Sequence, residues 1–419
     1  MWRLGRPPKR ARSDPRGPGR EPGRGRGHNE PVVERSLNLV PASVMDYRAR
    51  ARRRLPRQIF DYLDGGAFAE ATMTANLADL AALHFRQRVL RDVSARTMST
   101  TVLGQSLSMP LVLAPVGFAG LMARRAEVQA ARAAVAAGVA FCESTLSVCD
   151  LEEVTAASGT APWFQLYVMR DRGVAEALMA LAAAVGVPVL VLTVDLPVVG
   201  QRYRDARNGV SGRPGRLGTL RRGLDVAAHP AWVRDVAVSG RPLTFGNLAV
   251  VLGAAAVPRD FQSWVADQFD PTVTWDDIDW VRAHWPGPLV VKGILDPDDA
   301  REAVARGVDG LVVSNHGGRQ LDSVPSTIEA LARIVEVVDG RADVLMDGGV
   351  RSGLDVMKAL ARGARAVMVG RAWAYAVAAR GKRGVDHVLG VMRQEIAVTM
   401  GLTGLSDVAD VSSDILVEG

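Results

Sequence analysis

Residues 310–316 read GLVVSNH, an apolar run that ends in polar residues and is followed at once by two glycines. Runs of this kind recur from about residue 110 onward, and a segment with helical spacing follows most of them. In chain order they are PLVLAP (110–115), VAFCES (139–144), WFQLYV (163–168), PVLVLTVD (188–195), PLVVKG (288–293), GLVVSNH (310–316), ADVLMDGG (342–349) and RAVMVGR (365–371). Continuous apolar runs, as opposed to alternating ones, are typical of strands buried on both faces in a parallel sheet covered by helices.

The spacing of the runs fits strands joined by crossover helices. The first four begin at residues 110, 139, 163 and 188, so the intervals are 29, 24 and 25 residues. Segments with helical spacing lie between runs at 127–137, 173–185, 297–306, 327–338 and 354–362. Eight strand–helix repeats close most naturally into a barrel, and we therefore predict an α/β fold of the (β/α)8 TIM-barrel type.

A doubly wound open sheet is the alternative that the same alternation allows. Two observations disfavour it. No GxGxxG motif follows the first strand, and polar residues end nearly every run, where a barrel would gather them on one face.

Two stretches fall outside the barrel pattern. Residues 37–109 are expected to form an N-terminal helical cap that begins with a helix near Ser43 and contains the turn Asp64-Gly65-Gly66. The long gap after the fourth strand predicts an insertion at about 201–275, because βα loops are normally short. Its uncharged segment from Pro242 to Pro258 has two interpretations, a helix packed onto the barrel and a lid or patch that contacts a membrane.

Composition and charge place the chain among globular proteins. Of its 419 residues, 48% are hydrophobic and 23% charged, and the mean hydropathy is +0.08, which excludes collagen, coiled coil and wholesale disorder. The net charge of +6 resides in residues 1–36, which hold ten basic and four acidic residues, so that 41 of each sign remain in residues 37–419. This division predicts a disordered basic tail at 1–36 and one barrel domain at 37–419.

The tail has two interpretations of its own. Clustered arginine neutralises phosphates, which would make the tail an arm for nucleic acid or anionic lipid. The favoured interpretation is a solvated tail or unselected sequence from an upstream start, because no interleaved aromatic residues are present to stack on bases. We therefore predict no specific nucleic acid partner. The tail has neither the apolar core of a secretory signal nor the composition of a transit helix, which predicts a cytoplasmic protein.

The sequence predicts no metal site. Its two cysteines, Cys142 and Cys149, are too few for a disulfide framework or a thiolate site. Its six histidines lack the spacing of metal ligands.

The polar residues at the strand ends would converge on one face of a barrel. His316 stands out because it follows a buried strand and is succeeded by Gly317-Gly318-Arg319, a turn through which backbone can approach a ligand. A histidine accepts protons near neutral pH, and a carboxylate such as Asp195 would orient it and stabilise its charged form. The full set is Ser144, Gln165, Tyr167, Thr193, Asp195, Lys292, Ser314, His316, Arg319, Asp347 and Arg371.

Glycine-rich loops with arginines follow the last two runs, Asp347-Gly348-Gly349-Val350-Arg351 and Gly370-Arg371. They are either plain turns or the phosphate site that barrels of this type carry after strands seven and eight, and the two arginines favour phosphate. With a base, a strand-end lysine and no metal, the pattern indicates a phosphate-bearing organic cofactor whose electronics Lys292 would tune.

The motif SNHGGRQLD (314–322) resembles the active-site signature of the FMN-dependent L-2-hydroxy-acid dehydrogenase and oxidase family, and the resemblance covers about residues 44–416. Other motifs similar to this family are DYLDGGA (61–67), SMPLVLAPVG (108–117), WFQLYV (163–168), TVDLPVVGQRYRD (193–205), VVKGILDPDDA (290–300), DGGVRSG (347–353) and VGRA (369–372). Within the family, GQRYRDARNGVSG, FDPTVTWDDIDWVR and VKGILDPDDAREAV are most similar to the bacterial quinone-linked L-lactate dehydrogenases.

The resemblance implies that FMN is the cofactor and that named residues hold it. The flavin would be held by Pro115, Val116, Gly117, Ser144, Gln165, Thr193, Lys292 and Ser314. The phosphate would be held by Asp347, Gly348, Gly349, Arg351, Gly370 and Arg371.

The resemblance also implies a substrate site. Arg319 would pair with the substrate carboxylate in a bidentate fork, assisted by Tyr62 and Arg202. Tyr167 would bond to the substrate hydroxyl. His316, oriented by Asp195, would remove a proton while two electrons pass to the flavin. Whether that proton comes from the hydroxyl, with hydride transfer, or from Cα, with a carbanion, stays open.

The expected reaction is oxidation of L-lactate to pyruvate, with mandelate, glycolate and longer 2-hydroxy acids as alternatives, because Phe118 and Leu146 do not decide between a methyl and a phenyl group. The glycine at position 117 resembles the dehydrogenase members of the family, which have glycine there, whereas the oxidases often have alanine. A quinone is therefore the expected acceptor, and an oxygen-using oxidase is the alternative. The insertion would dock the barrel on the inner face of the cell membrane, and the family implies a homotetramer.

Overall fold

In the computed structural model of this chain, which describes residues 39–209, 215–253 and 268–417, eight parallel strands close into a barrel. An antiparallel hairpin of β1 (Thr100–Val102) and β2 (Gln105–Leu107) precedes it. The barrel strands are β3 (Leu111–Leu113), β4 (Ala140–Ser144), β5 (Trp163–Leu166), β6 (Leu190–Thr193), β7 (Leu289–Ile294), β8 (Gly310–Val313), β9 (Asp343–Met346) and β10 (Ala366–Val369). Seven of them lie inside the predicted runs, and β7 extends one residue beyond its run, to Ile294. Because β10 pairs with β3, the TIM-barrel prediction is confirmed and the open sheet is excluded.

Side chains fill the interior of the barrel. One apolar cluster takes members from each barrel strand, among them Val112 and Val312, and these two are inaccessible to solvent. The hairpin residue Leu103 belongs to the same cluster, and its backbone N–H donates to Asp343 Oδ2, at the start of β9, at 2.7 Å. The hairpin therefore closes the N-terminal end of the barrel, and the C-terminal ends of the strands are left to form a site.

Helices surround the barrel. In chain order they are α1 (Val44–Arg54), α2 (Arg57–Asp64), α3 (Ala71–Ala82), α4 (Ala126–Ala137), α5 (Leu151–Ser158), α6 (Arg172–Val185), α7 (Tyr203–Arg207), α8 (Arg216–Ala227), α9 (Pro230–Trp232), α10 (Gly246–Leu252), α11 (Asp276–His284), α12 (Pro297–Ala305), α13 (Thr327–Val338), α14 (Gly353–Ala361), α15 (Arg371–Arg380) and α16 (Lys382–Thr403). A π-helical turn, Val233–Val238, follows α9, and single 3-10 turns occur at Ala119–Leu121, Val408–Asp410 and Ser413–Ile415. The helices predicted after the runs are present within one residue of their expected limits.

Local capping explains where several helices begin. Ser43 and Ser352 each form a capping box with an aspartate three residues later, at the starts of α1 and α14. Asp150 and Ser326 accept a backbone N–H from the first turns of α5 and α13. The helix expected near Ser43 thus starts the N-terminal cap, which comprises α1 to α3. The predicted tail, residues 1–36, lies outside the described residues, and the unit that holds the barrel begins at Pro41.

The described part of the insertion after β6 is attached to the barrel by α10. Asn247 is fully buried, and its side chain accepts from Leu151 N at 2.9 Å and donates to Glu143 Oε1 at 3.0 Å. Burial raises the pKa of Glu143 well above its usual range, and the hydrogen bond from Asn247 opposes that rise. The stretch from Pro242 to Gly253 therefore contains a helix packed onto the barrel, and residues 254–258 lie outside the described residues.

The helix α8 of the same insertion has an apolar face open to solvent. Leu217, Leu220 and Leu224 are spaced along one face, and 75%, 59% and 62% of their surfaces are exposed. None of the helices in the described part of the chain is both long enough and apolar enough to cross a membrane.

Candidate functional site

His316 and Asp195 meet at the C-terminal end of the barrel although 121 residues separate them. His316 follows β8 and Asp195 follows β6, and β7 lies between these strands. His316 Nδ1 lies 2.9 Å from Asp195 Oδ1 and 3.1 Å from Oδ2. Because the carboxylate accepts the proton of Nδ1, Nε2 is left as the ring atom that can take up a proton from a substrate.

Buried charges around this pair keep the carboxylate ionised. Burial raises the pKa of Asp195, but the charges of His316 and Lys292 outweigh burial and hold that pKa below its ordinary value. Lys292 Nζ lies 2.9 Å from Asp347 Oδ2 and donates to Ser314 Oγ at 2.9 Å. Burial lowers the pKa of Lys292, whereas Asp347 and Asp195 raise it and prevail, so the lysine stays protonated.

The loop after β8 holds His316 in a left-handed backbone conformation. Its φ is +56°, which residues other than glycine rarely adopt. Gly317 and Gly318 continue the turn at φ +64° and +74°. The backbone N–H of His316 donates to Ser314 Oγ at 3.0 Å. Strained backbone of this kind persists only where surrounding contacts hold it, and it clusters at functional sites.

The guanidinium groups of Arg319 and Arg202 lie over the ring of Tyr62, at 5.0 and 5.8 Å from its centre. Arg319 NH1 donates to the carbonyl of Tyr62 at 2.7 Å, and Arg202 pairs with Asp205 at 3.3 Å. Burial lowers the pKa of Arg319 to about 9, and the charge of Arg202 adds to this effect. A cluster in which one cation lowers the pKa of another favours an anionic ligand, such as a carboxylate.

Arg371, which the sequence assigned to a phosphate, connects the cap to the catalytic loop. It donates to the carbonyls of Leu63 at 3.1 Å, Gly65 at 2.7 Å and Gly317 at 2.8 Å. These bonds join the turn after α2 to the residue that follows His316. A guanidinium has five N–H donors, so the bonds leave some of them for an anion, and the phosphate role stays a prediction.

Two tyrosines line the site, one from the cap and one from the barrel. Tyr62, on α2, places its hydroxyl 3.4 Å from the carbonyl oxygen of Gly117. Tyr167, after β5, is buried, and its ring meets Phe269 edge-on at 5.2 Å. Burial raises the pKa of Tyr167, so its phenol keeps the proton and can donate it in a hydrogen bond.

Three buried polar atoms at the strand ends have no hydrogen-bond partner among the described residues, and they are Gln165 Nε2, Thr193 Oγ1 and Asp347 Oδ1. Buried polar groups are normally paired, so these atoms fit a ligand that supplies both donors and acceptors. A flavin ring system is such a ligand, and the protonated Lys292 beside Asp347 matches its electron-rich edge. Ser144 belongs to the same group, because its Oγ lies 3.0 Å from Gln165 Oε1.

The loops after β9 and β10 have the backbone shapes that a phosphate site requires. Gly348 and Gly349 have φ of +90° and +81°, and α14 begins shortly after them. A Cβ added at Gly370 would lie 3.8 Å from Val116 Cγ2, an ordinary contact distance, so the segment after β3 packs beside the start of α15. Helix N-termini attract phosphate, and α14 and α15 both begin here. The Asp347 carboxylate pairs with Lys292, so any contribution of Asp347 to a phosphate comes from its backbone.

Two residues of the site were missed by the sequence analysis. Phe245, from the insertion, is fully buried, and its ring lies 4.7 Å from that of Phe118. Asn76, on α3, bonds to the residue before His316. The only signal for Asn76 is its position in a helical series of buried residues with Thr72 and Leu80, which by itself indicates packing.

Comparison with known proteins gives consistent matches over most of the chain. A family model described as FMN-dependent dehydrogenase matches residues 51–418. An L-lactate dehydrogenase of Caulobacter vibrioides (strain NA1000 / CB15N) is 54% identical over 380 residues, which are 91% of this chain and 98% of that protein. An L-lactate dehydrogenase of Chromohalobacter salexigens is 49% identical over 381 residues, 91% of this chain and 96% of that protein.

Solved structures agree in fold. The monotopic membrane protein (S)-mandelate dehydrogenase matches with a TM-score of 0.84 and 37% identity, over 91% of this chain and 100% of that one. A mandelate oxidase bound to (S)-4-hydroxymandelic acid matches with a TM-score of 0.76 and 39% identity, over 90% of this chain and 98% of that one.

Proposed function

Because the chain belongs to the family of FMN-dependent dehydrogenases, we propose that it oxidises L-lactate to pyruvate and passes the electrons to a quinone. It is an FMN-dependent oxidoreductase of the hydroxy-acid class. The observation that carries the proposal is the contact of His316 with Asp195 beside the partly buried Arg319. The site thus holds both a base, His316, and a cation that can bind a substrate carboxylate, Arg319.

Each side chain of the site has a defined task in this reaction. Arg319 and Arg202 bind the substrate carboxylate, and Tyr167 donates a hydrogen bond to the substrate hydroxyl. His316 Nε2 takes up the proton, and the ionised Asp195 stabilises the imidazolium that results. FMN, when bound, accepts the two electrons of the oxidation. Both proton routes, from the hydroxyl and from Cα, use these same residues.

The cofactor is FMN, and we propose which residues hold it. Gln165, Thr193 and Lys292 face its ring with unpartnered or charged groups. The remaining flavin contacts would come from Pro115, Val116, Gly117, Ser144 and Ser314, and the phosphate contacts from Asp347, Gly348, Gly349, Arg351, Gly370 and Arg371.

The aromatic pair Phe118 and Phe245 supports a small substrate. Phe118 follows Gly117, and its ring meets Tyr62 edge-on at 6.0 Å, so the pair lies beside the proposed carboxylate site. We propose that this pair occupies space next to the substrate substituent, which favours the methyl group of lactate over a phenyl group. Mandelate is the second candidate, because the structure of (S)-mandelate dehydrogenase matches this chain closely in fold.

Gly117 supports an acceptor other than oxygen. A Cβ added there would lie 3.4 Å from Leu146 Cβ and 3.8 Å from Tyr62 Oη, both ordinary contact distances. Packing therefore does not require glycine at this position, which is consistent with a role of this glycine in setting the electron acceptor.

We expect L-lactate to bleach the flavin absorbance of the purified protein under anaerobic conditions, because the substrate delivers two electrons to FMN. The measurement is a visible spectrum before and after addition, with D-lactate as the control. A soluble quinone added afterwards should restore the absorbance faster than oxygen does. If (S)-mandelate bleaches the flavin and L-lactate does not, mandelate replaces L-lactate as the proposed substrate. If the protein holds no flavin after FMN is supplied, the proposed cofactor contacts are wrong.

For its location we propose the inner surface of the cell membrane, reached through the insertion. The solvent-exposed face of α8 carries Leu217, Leu220 and Leu224, and Arg221 and Arg222 lie on the same helix. Exposed leucines combined with arginines are typical of helices that lie in a membrane surface and bind anionic lipid. Because α10, within the uncharged segment from Pro242 to Pro258, packs onto the barrel, α8 is the proposed membrane contact of the insertion.

Replacing the three leucines of α8 by serine should reduce sedimentation with anionic phospholipid vesicles, because the buried apolar area falls. Sedimentation is measured with and without vesicles, and flavin reduction by L-lactate serves as the folding control. A second control removes residues 1–36. Unchanged sedimentation of the serine variant, together with loss of sedimentation on removal of the tail, would assign the membrane contact to the tail instead.

Assembly as a homotetramer is also part of the proposal. Val398 and Leu402 lie one turn apart on α16 and are 47% and 55% exposed. Such a pair is consistent with a contact between copies of the chain.

A further inference from the structure

A buried pair of amide side chains connects the N-terminal cap to the loop that carries His316. Asn76 on α3 donates from Nδ2 to Asn315 Oδ1 at 2.9 Å, and Asn315 donates from Nδ2 to Asn76 Oδ1 at 2.8 Å. Only 2% of Asn76 and 4% of Asn315 is exposed. Asn315 immediately precedes His316, so the pair holds the backbone at the start of the left-handed turn.

The same two amides hold the rest of the loop. Asn315 Oδ1 also accepts from Gly318 N at 3.1 Å, and Asn315 Nδ2 donates to the carbonyl of Pro325 at 3.2 Å. Asn76 Oδ1 accepts a further bond from the backbone N–H of Thr327, the first residue of α13, at 3.1 Å. The pair therefore connects both ends of the segment 315–327 to one residue of the cap.

A second contact sets the same loop against α3. Asp322 accepts the backbone N–H groups of Ala69 at 3.1 Å, Ala71 at 3.2 Å and Thr72 at 2.8 Å, and thus caps the start of α3 from the loop. A Cβ added at Gly318 would lie 2.7 Å from Met73 N, so the loop backbone rests directly on the helix.

The amide pair also adjoins the turn that is assigned to the phosphate. A Cβ added at Gly348 would lie 3.3 Å from Asn315 Oδ1, and one added at Gly349 would collide with the backbone carbonyl of Asn76. The His316 loop, the Gly348-Gly349 turn and the middle of α3 therefore meet at one buried contact.

We propose that Asn76 is a positioning residue for the reaction, which holds the loop 314–322 so that His316 and Arg319 face the flavin. The inference rests on the proposed function of these two residues. The physical reason is that His316 has a positive φ, which costs conformational energy, so neighbouring contacts must hold it in place. Asn76 supplies part of those contacts, through Asn315 and Thr327, from outside the barrel, and it touches neither the proposed base nor the proposed carboxylate site directly.

Replacing Asn76 by alanine should lower the rate of flavin reduction by L-lactate by about 10- to 100-fold, because a displacement of about 1 Å in a catalytic group has effects of that size. The rate is measured by anaerobic stopped-flow absorbance and expressed per bound flavin. Hydrogen exchange of the amides in 314–322 provides a second readout, and we expect faster exchange in the variant. Leu77→Ala is the matched control, because Leu77 is the next residue of α3 and is 41% exposed.

Asn76→Ser provides the test if the alanine variant does not fold. Serine keeps a polar group but is too short to reach Asn315 Oδ1, so slower reduction and faster loop exchange are again expected. A variant with a lower melting temperature, but with wild-type rate per bound flavin and wild-type exchange in 314–322, would overturn the proposal. If L-lactate fails to reduce the wild-type flavin, the proposed function fails, whereas the exchange measurement still tests the positioning of the loop.

Discussion

Replacing His316 by alanine should lower the rate at which L-lactate reduces the bound flavin by about 10²- to 10⁴-fold, the range for loss of a general base. The cofactor should stay bound, because the proposed flavin contacts come from other strand ends. The physical reason is the contact with Asp195 at 2.9 Å, which leaves Nε2 as the only ring atom able to take up the substrate proton. We would measure the anaerobic reduction rate and the ratio of flavin to protein absorbance in the same sample.

His284→Ala is the matched control for that experiment. It removes an imidazole from α11 whose side chain is 41% exposed. A His316→Ala variant that keeps its flavin and reduces it at more than a tenth of the wild-type rate would refute the assignment of the base. Loss of flavin from the variant would instead place His316 among the residues that hold the cofactor.

Replacing Asp64 by asparagine should reduce the free energy of unfolding by about 3 kcal/mol, the lower end of the range for breaking a buried ion pair. Asp64 is 3% exposed and receives Arg48 Nε at 2.5 Å, Arg204 NH1 at 2.8 Å and the Tyr375 hydroxyl at 2.7 Å. These partners lie on α1, α7 and α15, so the carboxylate joins the cap, the insertion and the last barrel helix. The lower end applies because 37% of the Arg48 side chain and 26% of the Arg204 side chain are exposed to solvent.

The decrease in the free energy of unfolding caused by Asp64→Asn should depend on pH in a defined direction. Burial raises the pKa of Asp64, but the bonds from Arg48, Tyr375 and Arg204 outweigh burial and hold that pKa well below its usual range. A carboxylate with a depressed pKa stabilises the fold above its unfolded-state pKa of about 3.9, and the stabilisation is lost as the pH falls through the folded-state value. The difference between wild type and variant should therefore be full at neutral pH and shrink progressively below about pH 4.

Urea unfolding at pH 7 and near pH 3 measures this dependence. Asp298→Asn is the control, since the same substitution there alters a side chain that is 88% exposed and paired with a surface arginine. Equal losses for the two variants at neutral pH, or a loss for Asp64→Asn that does not change with pH, would contradict the assigned ion-pair network.

The barrel and the convergence of polar residues in the candidate site could be predicted from the sequence, because the governing signals are local. A continuous apolar run such as that of residues 310–313 becomes a buried strand wherever it lies, and residues directly after a parallel strand must emerge at one end of a barrel. That rule placed His316, Asp195 and Lys292 together, and the structure brings them within one network of charges. The residue types and their order along the chain were sufficient for this step.

The contacts of the N-terminal cap could not be predicted in the same way. Asn76 follows a helical spacing that is equally compatible with simple packing, and Asp64 reads as part of a turn. Arg371 was assigned to a phosphate from the glycine before it, yet its guanidinium donates to carbonyls that lie more than 300 residues earlier in the chain. Each of these contacts depends on which segments from outside the barrel meet its C-terminal end.

The eight strands, the helices between them and the polar residues at the strand ends all follow from hydrophobic periodicity and strand-end position, which are properties of short segments. The way in which the cap and the insertion hold those polar residues depends instead on contacts between distant segments: Asn76 with Asn315, Asp64 with its arginines, and Asn247 with Glu143. These contacts have no local signal, because a buried polar side chain is satisfied by whichever partner the fold brings within hydrogen-bond distance, however far away that partner lies in sequence.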